Sequence, residues 1–293
     1  MPELPDVELY RGALERTLSG EVLEKIRLKS PFLVRSFDPP LSSVEGKRVL
    51  SFRRIGKRIV FGLEDELFLV FHLMIAGRFR WRKPGAGLPG KIGLCAFDFA
   101  HGALILTEAG TKKRASLHVV QGIDALEEHD PGGLEPLECD LAAFRANLTA
   151  ENHTLKRALT DPKRFSGIGN AYSDEILFDA RLSPLKWTSR LTDEEVERLF
   201  ESVVRVLRSW VDRLRDETGD RFPEKVTAFR PGMAVHGRYR EPCPRCEAPV
   251  QRIVRASNEV NYCASCQTDG KVLRDRALSQ LLKDDWPARL DEN

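Results

Sequence analysis

The first three residues, Met1, Pro2 and Glu3, carry the most distinctive reactive group of this chain. If the initiator methionine is removed, the chain begins with a secondary amine, and a carboxylic acid follows it directly. Such an amine can attack an aldehyde-like carbon and form an iminium, which no side chain does in the same way. Proline at this position also suits the first turn of a helix. The motif therefore gains meaning only together with the rest of the chain.

A second group of reactive side chains lies near the C-terminus, where sixteen residues separate two C-x2-C pairs. This spacing is typical of a zinc ribbon. Four thiolates close a tetrahedral structural site, which leaves no open position for a water molecule. The alternatives are two disulfides or a redox pair, and an intracellular protein disfavours both. We therefore expect one structural Zn²⁺, bound by Cys243, Cys246, Cys263 and Cys266.

A glycine turn, Gly167 to Asn170, precedes a segment of helical character that runs from Ala171 to Phe178. Closely spaced glycines let backbone amides approach an anion, and the positive end of the following helix favours one. A tight helix-to-helix connection is the simpler interpretation of the turn alone. Basic side chains surround it in the sequence: His153, Lys156, Arg157, Lys163 and Arg164. Together they predict a helix-turn-helix platform that holds a nucleic-acid backbone without reading its sequence.

Hydrophobic periodicity predicts the elements that position these groups. An amphipathic helix is expected from Glu3 to Leu18, and Gly20 can end it. From about Val22 to Val120, short β-rich runs separated by turn residues indicate a β-sandwich or barrel. Thr192 and Glu195 then form a capping-box signature before a long apolar helix face. The chain is thus expected to combine an N-terminal β domain with a helical second domain.

Composition sets the limits for function. The 293 residues suffice for about two globular units, and 46 basic residues nearly balance 44 acidic ones. A basic surface is therefore possible but must be argued locally. The sequence has no long uncharged apolar run and no secretory signal at its N-terminus. We expect a cytoplasmic protein without membrane partners.

The motifs in their order closely resemble the formamidopyrimidine-DNA glycosylase and endonuclease VIII family of DNA repair enzymes. The resemblance rests on Pro2 to Glu8, Gly56-Lys57 in a hairpin, His72-Leu73 before a loop, Gly167 to Asn170, and the cysteine ribbon ending in Cys266-Gln267. It runs from residue 2 to about residue 270. It implies an α+β multidomain protein with DNA bound in a cleft between a β-sandwich domain and a helical one.

With this resemblance, five regions are expected along the chain. Residues 1–130 are a catalytic β-sandwich with a leading α-helix, and 131–140 are a linker that is rich in proline and glycine. Residues 141–236 are a helix-two-turn-helix domain, and 237–272 are a β-hairpin zinc ribbon. Residues 273–293 are a C-terminal extension that falls outside the family pattern. Its leucines, Leu278, Leu281 and Leu282, suggest a short helix that packs back on the protein or binds a partner.

The resemblance also assigns catalytic roles. Pro2 would attack C1′ of a damaged nucleotide, release the base and leave an iminium that activates the strand for elimination. Glu3 would protonate the sugar ring oxygen or the leaving base. Lys57 would assist proton transfer and bind phosphate. From the residues alone, Lys57 is a solvated lysine in a basic hairpin.

A DNA-binding set follows from the same resemblance. Lys156 and Asn170 match positions that hold the backbone around the lesion, and His72 matches a histidine near the DNA, with a structural strand-end histidine as the alternative. Met74 or Ile75 would fill the gap that a flipped nucleotide leaves. The remaining expected DNA-binding residues are Lys91, Lys112, Lys113, Arg255 and Asn258.

Two departures from the family pattern bear on the substrate. The loop from Glu108 to Arg114 has no aromatic residue and an apparent extra residue, where the family supplies an arginine and an aromatic to the opposite strand. Asn258 stands where an arginine usually clamps the lesion phosphates, and an amide cannot replace that charged fork. Arg255 can substitute for it only if the hairpin register allows. The sequence therefore favours β-elimination over δ-elimination.

We expect a monomeric, zinc-containing bifunctional DNA glycosylase and AP lyase of base-excision repair, nucleoid-associated when bound to damaged double-stranded DNA. Its substrates would be oxidised or ring-opened bases of the formamidopyrimidine and 8-oxoguanine type. One alternative is an endonuclease VIII-like enzyme for oxidised pyrimidines, abasic sites or single strands. Another is a damage-binding protein with little turnover, which the intact pair of Pro2 and Glu3 disfavours.

Overall fold

The computed structural model describes residues 1–224, 226–227, 230–255, 258–274 and 289–290, except for the side chains of Arg255 and Asn258. It begins with helix α1, Leu4–Leu18, as the apolar spacing predicts. The five residues of the predicted apolar face are all fully buried: Leu4, Val7, Tyr10, Leu14 and Leu18. Gly20 follows at φ 82°, a left-handed conformation that glycine adopts without steric cost. The helix therefore ends where the sequence places its end.

Two antiparallel sheets follow α1. The strands are β1 Val22–Leu23, β2 Lys25–Leu28, β3 Lys47–Ile55, β4 Arg58–Leu63, β5 Leu67–His72, β6 Gly77–Arg82, β7 Gly93–Phe99, β8 Gly102–Glu108 and β9 Ser116–Gln121. Short 3-10 helices occupy Pro31–Leu33, Leu41–Val44 and Glu64–Glu66. The strand order is β1-β3-β4-β5-β9 in one sheet and β2-β7-β8-β6 in the other.

Aromatic side chains join the two sheets. Phe71 of β5 contacts Phe79 of β6 and Phe97 of β7, with ring centroids 5.2 and 5.3 Å apart. Tyr10 of α1 adds an edge contact to Phe79 at 5.6 Å. All four rings are fully buried. Offset and edge-to-face pairs of this kind stabilise a core beyond the area they bury. The predicted β-sandwich with a leading helix is confirmed.

Helices dominate the middle of the chain. They are α2 Ile123–Glu127, α3 Leu141–Thr149, α4 Leu155–Thr160, α5 Asn170–Asp179 and α6 Asp193–Thr218, with a 3-10 turn at Thr188–Arg190. The capping box before α6 is present: the Glu195 carboxylate accepts from the Thr192 N–H at 3.0 Å, and the Thr192 hydroxyl accepts from the Glu195 N–H at 3.3 Å. Helix α6 therefore begins where the sequence predicts.

The C-terminal ribbon is a hairpin of β10, Val250–Arg255, and β11, Asn258–Cys263, followed by α7, Ala264–Thr268. At the far end of the chain, the Leu290 N–H donates to the Gly270 carbonyl at 3.2 Å. The Leu290 side chain packs on a buried cluster that includes Ile253 and Tyr262. The predicted helix with Leu278, Leu281 and Leu282 lies outside the described residues.

Two compact units make up the chain. The first contains Met1–Pro131 and Trp210–Ala228, and the second contains Gly132–Ser209 and Phe229–Asn293. The division at Pro131 falls at the start of the linker that proline and glycine mark in the sequence. The sequence assigns residues 210–228 to the helical domain, because no proline or glycine interrupts α6 near Ser209. Within the described ranges, no helix combines the length and apolar character needed to cross a membrane.

Candidate active site and metal centre

The chain terminus lies against the start of α1. Glu3 is only 3% exposed, and its backbone N–H donates to Asp6 Oδ2 at 3.0 Å. Asp6 is itself fully buried in the first turn of the helix. A carboxylate that caps a helix N-terminus in this way holds the chain before it in one direction. Asp6 therefore positions Pro2 and Glu3.

The terminal amine lies within electrostatic reach of several charged side chains. Burial lowers the pKa of the Met1 α-amino group, the nearby carboxylates of Glu3 and Asp6 act in the opposite direction, and the cations of Arg78 and Lys57 lower it further. The first unit therefore brings the predicted catalytic Lys57 close to the terminus. Sequence reasoning did not find Arg78, because only the folded strand order places it there.

Lys57 occupies the tip of the β3–β4 hairpin. Gly56 precedes it at φ 58°, a conformation that a tight two-residue turn requires. Arg54 fixes the turn by donating to the Gly56 carbonyl at 3.0 Å and to the Glu8 carboxylate of α1 at 2.9 Å. The hairpin that carries Lys57 is thus tied to the helix that carries the terminus.

The loop after β5 presents one apolar side chain. Ile75 is 60% exposed at its tip, while Met74 is half-buried and has φ 52°. A left-handed conformation at a non-glycine residue costs about 1–2 kcal/mol and is characteristic of functional loops. Arg78 donates to the Ile75 carbonyl at 3.1 Å, and the Gly77 N–H donates to the Leu73 carbonyl at 2.8 Å. Ile75, rather than Met74, is therefore the exposed apolar side chain of this loop.

The loop between β8 and β9 is organised by a buried carboxylate. Glu108 is 2% exposed, and both of its carboxylate oxygens accept from the Arg114 N–H at 3.0 Å. Lys113 donates to the Glu108 carbonyl, so its amine is engaged inside the loop. Lys112 is exposed, as is Lys91 in the loop before β7. Glu108 therefore sets the shape of the loop in which an aromatic residue is missing.

His72 ends β5, between Arg58 of β4 and Ser116 of β9. Burial lowers its pKa to about 4, and the charges of Arg58, Lys57 and His118 lower it as well. At neutral pH His72 therefore presents a neutral imidazole, which can donate or accept a hydrogen bond but carries no positive charge.

In the second unit, Lys156 and Asn170 lie together. Lys156 Nζ donates to the Asn170 carbonyl at 2.6 Å and to Asp174 Oδ1 at 2.5 Å. His236 Nδ1 lies 2.8 Å from the other oxygen of Asp174. Lys156, Asp174 and His236 are all buried. The Asn170 side-chain amide donates to the Glu259 carbonyl of β11 at 2.8 Å, which joins the glycine turn to the ribbon.

Two acidic residues of α5 fasten that helix to the ribbon and to the segment just before it. The buried Glu175 accepts hydrogen bonds from the backbone N–H groups of residues 234–236, at 2.6 to 2.9 Å. Burial raises the pKa of Glu175, and these donors counteract the shift. Asp174 also accepts from the Asn261 N–H at 3.2 Å. Sequence reasoning missed Asp174, Glu175 and His236, although two adjacent acids directly before the apolar run from Ile176 to Phe178 are a usable signal.

Replacing Asp174 with alanine should lower the free energy of unfolding by about 3–5 kcal/mol, because it leaves the buried Lys156 ammonium without its counter-charge. Urea unfolding measures the change. Asp193→Ala removes an exposed ion pair with Arg145 in the same unit and should cost less than about 1 kcal/mol. Adding Lys156→Met to Asp174→Ala should recover part of the loss. Equal effects of the two single alanine variants would show that the buried pair is unimportant.

The four predicted zinc ligands converge. Their sulfur atoms all lie within 4.8 Å of one another. Cys243 Sγ is 3.9 Å from Cys266 Sγ, and Cys246 Sγ is 3.4 Å from Cys263 Sγ. Tetrahedral Zn²⁺ with bonds of about 2.3 Å requires sulfur separations of about 3.8 Å, so the cluster fits the ion. The protein has one structural zinc site, and its four thiolates leave no coordination position for catalysis.

Arg255 and Asn258 form the last backbone pair of the hairpin. The structure therefore makes them cross-strand neighbours at the end of the ribbon. Their side chains lie outside the described part of the chain. That Arg255 takes the place of the arginine that the family carries at the position of Asn258 therefore stays a prediction.

Three family models match the chain in succession. Residues 1–125 match the formamidopyrimidine-DNA glycosylase N-terminal domain, and residues 133–220 match the formamidopyrimidine-DNA glycosylase H2TH domain. Residues 240–268 match the zinc finger found in FPG and IleRS. Their order is the order of β-sandwich, helical domain and zinc ribbon along this chain.

Relatives of similar length match nearly the whole chain. The formamidopyrimidine-DNA glycosylase of Thermus thermophilus is 32% identical over 279 residues, which cover 92% of this chain and 100% of the relative. That of Heliobacterium modesticaldum is 30% identical over 280 residues, covering 91% of this chain and all of the relative.

Solved structures give the same result. Lactococcus lactis Fpg in complex with abasic-site DNA is similar with a TM-score of 0.81 and 26% identity, covering 91% of this chain and 99% of that one. Wild-type Lactococcus lactis Fpg bound to DNA containing an oxidised pyrimidine has a TM-score of 0.81 and 27% identity, covering 91% and 100%. MutM with carbocyclic 8-oxo-G DNA has a TM-score of 0.79 and 26% identity, with the same coverage.

Proposed function

This chain belongs to the formamidopyrimidine-DNA glycosylase family of zinc-containing DNA repair enzymes, and we propose that it excises oxidised or ring-opened bases through a Schiff base on Pro2. The expected family, fold class, enzyme class and structural zinc are confirmed. The observation that carries the proposed mechanism is the buried position of Pro2 and Glu3, with the Glu3 N–H bonded to Asp6 and the Met1 α-amine near Lys57 and Arg78.

The chemistry begins with removal of Met1, because in the full chain the Pro2 nitrogen is part of an amide. The freed amine attacks C1′ and the bond from C1′ to the base breaks. The nitrogen loses its proton, the bond from C1′ to the ring oxygen O4′ then breaks, and C1′ and the nitrogen form an iminium. Glu3 supplies a proton to the ring oxygen or to the leaving base. The iminium then accepts electrons as C2′ loses a proton and the 3′ phosphate leaves, which is β-elimination.

Electrostatics support an amine nucleophile. A free α-amino group titrates near pH 8 in water. In the full chain, burial and the cations of Arg78 and Lys57 lower the pKa of the Met1 α-amino group, while Glu3 and Asp6 oppose the change. The Pro2 amine that is freed when Met1 is removed lies one residue further along, and we expect the same charges to act on it. A lowered pKa increases the fraction of neutral amine at cellular pH, and only the neutral amine attacks carbon.

The proposed partner is damaged double-stranded DNA, bound by a monomer in the cytoplasm and associated with the nucleoid. The solved relatives that bind abasic, oxidised-pyrimidine and 8-oxo-G DNA support this partner. The target nucleotide must leave the stack before Pro2 can reach C1′, and the exposed Ile75 is the candidate to replace it. Lys57, Lys156 and Asn170 are the proposed backbone contacts.

An endonuclease VIII-like preference for oxidised pyrimidines or abasic sites is the second candidate. Two features of the β8–β9 loop favour it. Glu108 and Lys113 form hydrogen bonds with backbone groups of the loop itself, and the loop contains no aromatic residue. A loop of this composition offers little to read the base opposite the lesion. Asn258 in place of an arginine supports an enzyme that stops after β-elimination.

Borohydride reduction tests the proposal. The processed protein is incubated with duplexes that carry a ring-opened guanine, 8-oxoguanine, an oxidised pyrimidine, an abasic site or no lesion. We expect a covalent adduct with damaged duplexes, mapped by peptide analysis to Pro2, and no adduct with the undamaged one. Faster trapping on oxidised pyrimidines than on purine lesions would select the second candidate. Binding without an adduct on any substrate, abasic DNA included, would make the chain a damage-binding protein.

A further inference from the structure

We propose that Arg54 is a positioning residue for the chemistry: together with Glu8 it holds the turn of Lys57 at a fixed place beside the reactive terminus. We call these two residues the Glu8–Arg54 strut. Arg54 acts through Lys57 and does not itself touch the DNA. The inference deepens the function proposed above and rests on it, because it takes Pro2 as the nucleophile and Lys57 as the group that assists proton transfer.

The guanidinium of Arg54 makes two directed contacts. Its Nε donates to Glu8 Oε1 at 2.9 Å, and its Nη1 donates to the Gly56 carbonyl at 3.0 Å. The Arg54 side chain is only 9% exposed. The donors of a guanidinium lie in one rigid plane, so bonds to two separate partners fix those partners relative to each other. Arg54 therefore sets the position of the Gly56 carbonyl, directly before Lys57, relative to helix α1.

The carboxylate of Glu8 is held from two sides. One of its oxygens accepts from Arg54, and the other accepts from Arg11 Nε at 2.8 Å. Arg11 also donates to Glu15 Oε2 at 3.0 Å, further along α1. Glu8 lies about 1.4 helical turns after Glu3, the cap of the same helix. The helix that follows the reactive terminus thus also carries the anchor of the Lys57 turn.

The strand register puts Arg54 on a face of the sheet where apolar residues pack. Phe52 and Arg54 are two positions apart in β3 and so point to the same side, where Phe52 contacts Phe61 of β4. Arg53 points to the opposite side and is exposed. A largely buried ion pair adds little net stability compared with apolar side chains of similar volume. Stability alone therefore does not explain the pair, whereas the positioning of Lys57 does.

The placement of Lys57 matters because it lies at the tip of a two-residue turn. Strand β3 ends at Ile55 and β4 begins at Arg58, so the strand pairing stops on either side of Gly56 and Lys57. Such tips open more readily than the centres of strands. The charge of Lys57 nevertheless acts on the terminal amine. A displacement of about 1 Å at a catalytic group costs up to about 100-fold in rate, so a fixed turn has a direct effect on the chemistry.

Arg54→Lys tests the strut while it keeps the positive charge. The single ammonium of lysine cannot bond the Glu8 carboxylate and the Gly56 carbonyl with the geometry of the planar fork. Single-turnover borohydride trapping on saturating abasic DNA should therefore slow by about 10- to 100-fold. The affinity for the same duplex should stay within about threefold of wild type, because no charge is lost.

A double-mutant cycle separates positioning from a general loss of structure. Lys57→Met removes the ammonium through which Arg54 is proposed to act. Adding Arg54→Lys to Lys57→Met should then slow trapping by no more than about twofold further. Arg53→Lys is the matched control, because Arg53 is the neighbouring arginine of β3 and is exposed on the opposite face. It should trap like the wild type.

Amide hydrogen exchange of the free protein tests the strut without any chemistry. Arg54→Lys should raise the exchange rates of Ile55 and Arg58, the last strand pair before the turn, by about tenfold or more, and Arg53→Lys should not. Unchanged exchange, normal trapping by Arg54→Lys, or an equal slowing by Arg54→Lys with and without Lys57 would overturn the proposal. Failure of the Pro2 chemistry gives a different result: the wild type forms no adduct, although the two arginine variants still differ in exchange. That result would overturn the nucleophile and, with it, the catalytic role of Arg54.

Discussion

Replacing Pro2 with glycine in the processed protein is expected to lower the rate of borohydride trapping on abasic DNA by about 100-fold or more, which corresponds to about 2.7 kcal/mol of transition-state stabilisation. A secondary amine gives a cationic iminium directly, whereas the primary amine of glycine gives a neutral imine that needs a further proton. Glycine also loosens the chain just before the Asp6 cap. Single-turnover trapping with peptide mapping measures both the rate and the position of the adduct.

A second form of the protein tests the same nitrogen without changing any residue. An N-terminal extension that remains attached keeps the Pro2 nitrogen in an amide, which has no nucleophilic lone pair, so no adduct should form. Affinity for an abasic-analogue duplex serves as the control. It should stay within a fewfold of wild type in the Pro2→Gly variant and in the protein with the N-terminal extension. Normal trapping by either protein, with the adduct mapped to Lys57 or another amine, would show that Pro2 is not the nucleophile.

Loss of zinc should have the largest structural effect. We expect about one zinc per chain by metal analysis. Zinc binding contributes about 10–16 kcal/mol to the folding of isolated zinc fingers, so chelation or Cys263→Ser should unfold the ribbon. Cys243 and Cys263 also belong to a buried cluster with Phe178 and Val250. Hydrogen exchange should therefore show loss of protection in β10 and β11, while β4 and β5 of the first unit keep theirs.

Cys139→Ser is the matched control for the metal, because Cys139 is a half-buried cysteine of the second unit that is not a ligand. It should retain the zinc and the hydrogen-exchange protection of the ribbon. Unfolding of the ribbon should also weaken DNA binding, because Asn170 and Asp174 are hydrogen-bonded to β11. Carefully handled protein that contains no zinc and has disulfides between these cysteines would contradict the assignment.

Local patterns in the sequence predicted much of the fold and the metal centre. The apolar spacing of α1, the capping box of α6 and the turn at Gly56-Lys57 all involve residues a few positions apart, and the structure shows each of them. The spacing of the four cysteines likewise predicted the zinc ribbon. The roles of the individual DNA-binding residues stay predictions.

Other features needed the folded chain. Asp174 meets Lys156 from 18 positions away and His236 from 62 positions away. The choice between Met74 and Ile75 as the exposed side chain depended on a left-handed backbone at Met74, which the residue types do not signal. Residues 210–228 group with the first unit, and the start of this grouping at Trp210 was not predictable, because α6 runs without interruption across the boundary after Ser209.

The sequence by itself determined the zinc ligands and the order of the domains, and it predicted a reactive terminus at Pro2 and Glu3, because these depend on residue chemistry and on spacing within single elements. Tertiary structure alone decided which charged side chains lie beside the terminus and beside Lys156. Arg78 and Lys57 lie near the terminus, and Asp174 lies beside Lys156. The physical reason is that a buried charge needs a partner, and its partner is set by the packing of distant segments rather than by neighbours in the chain.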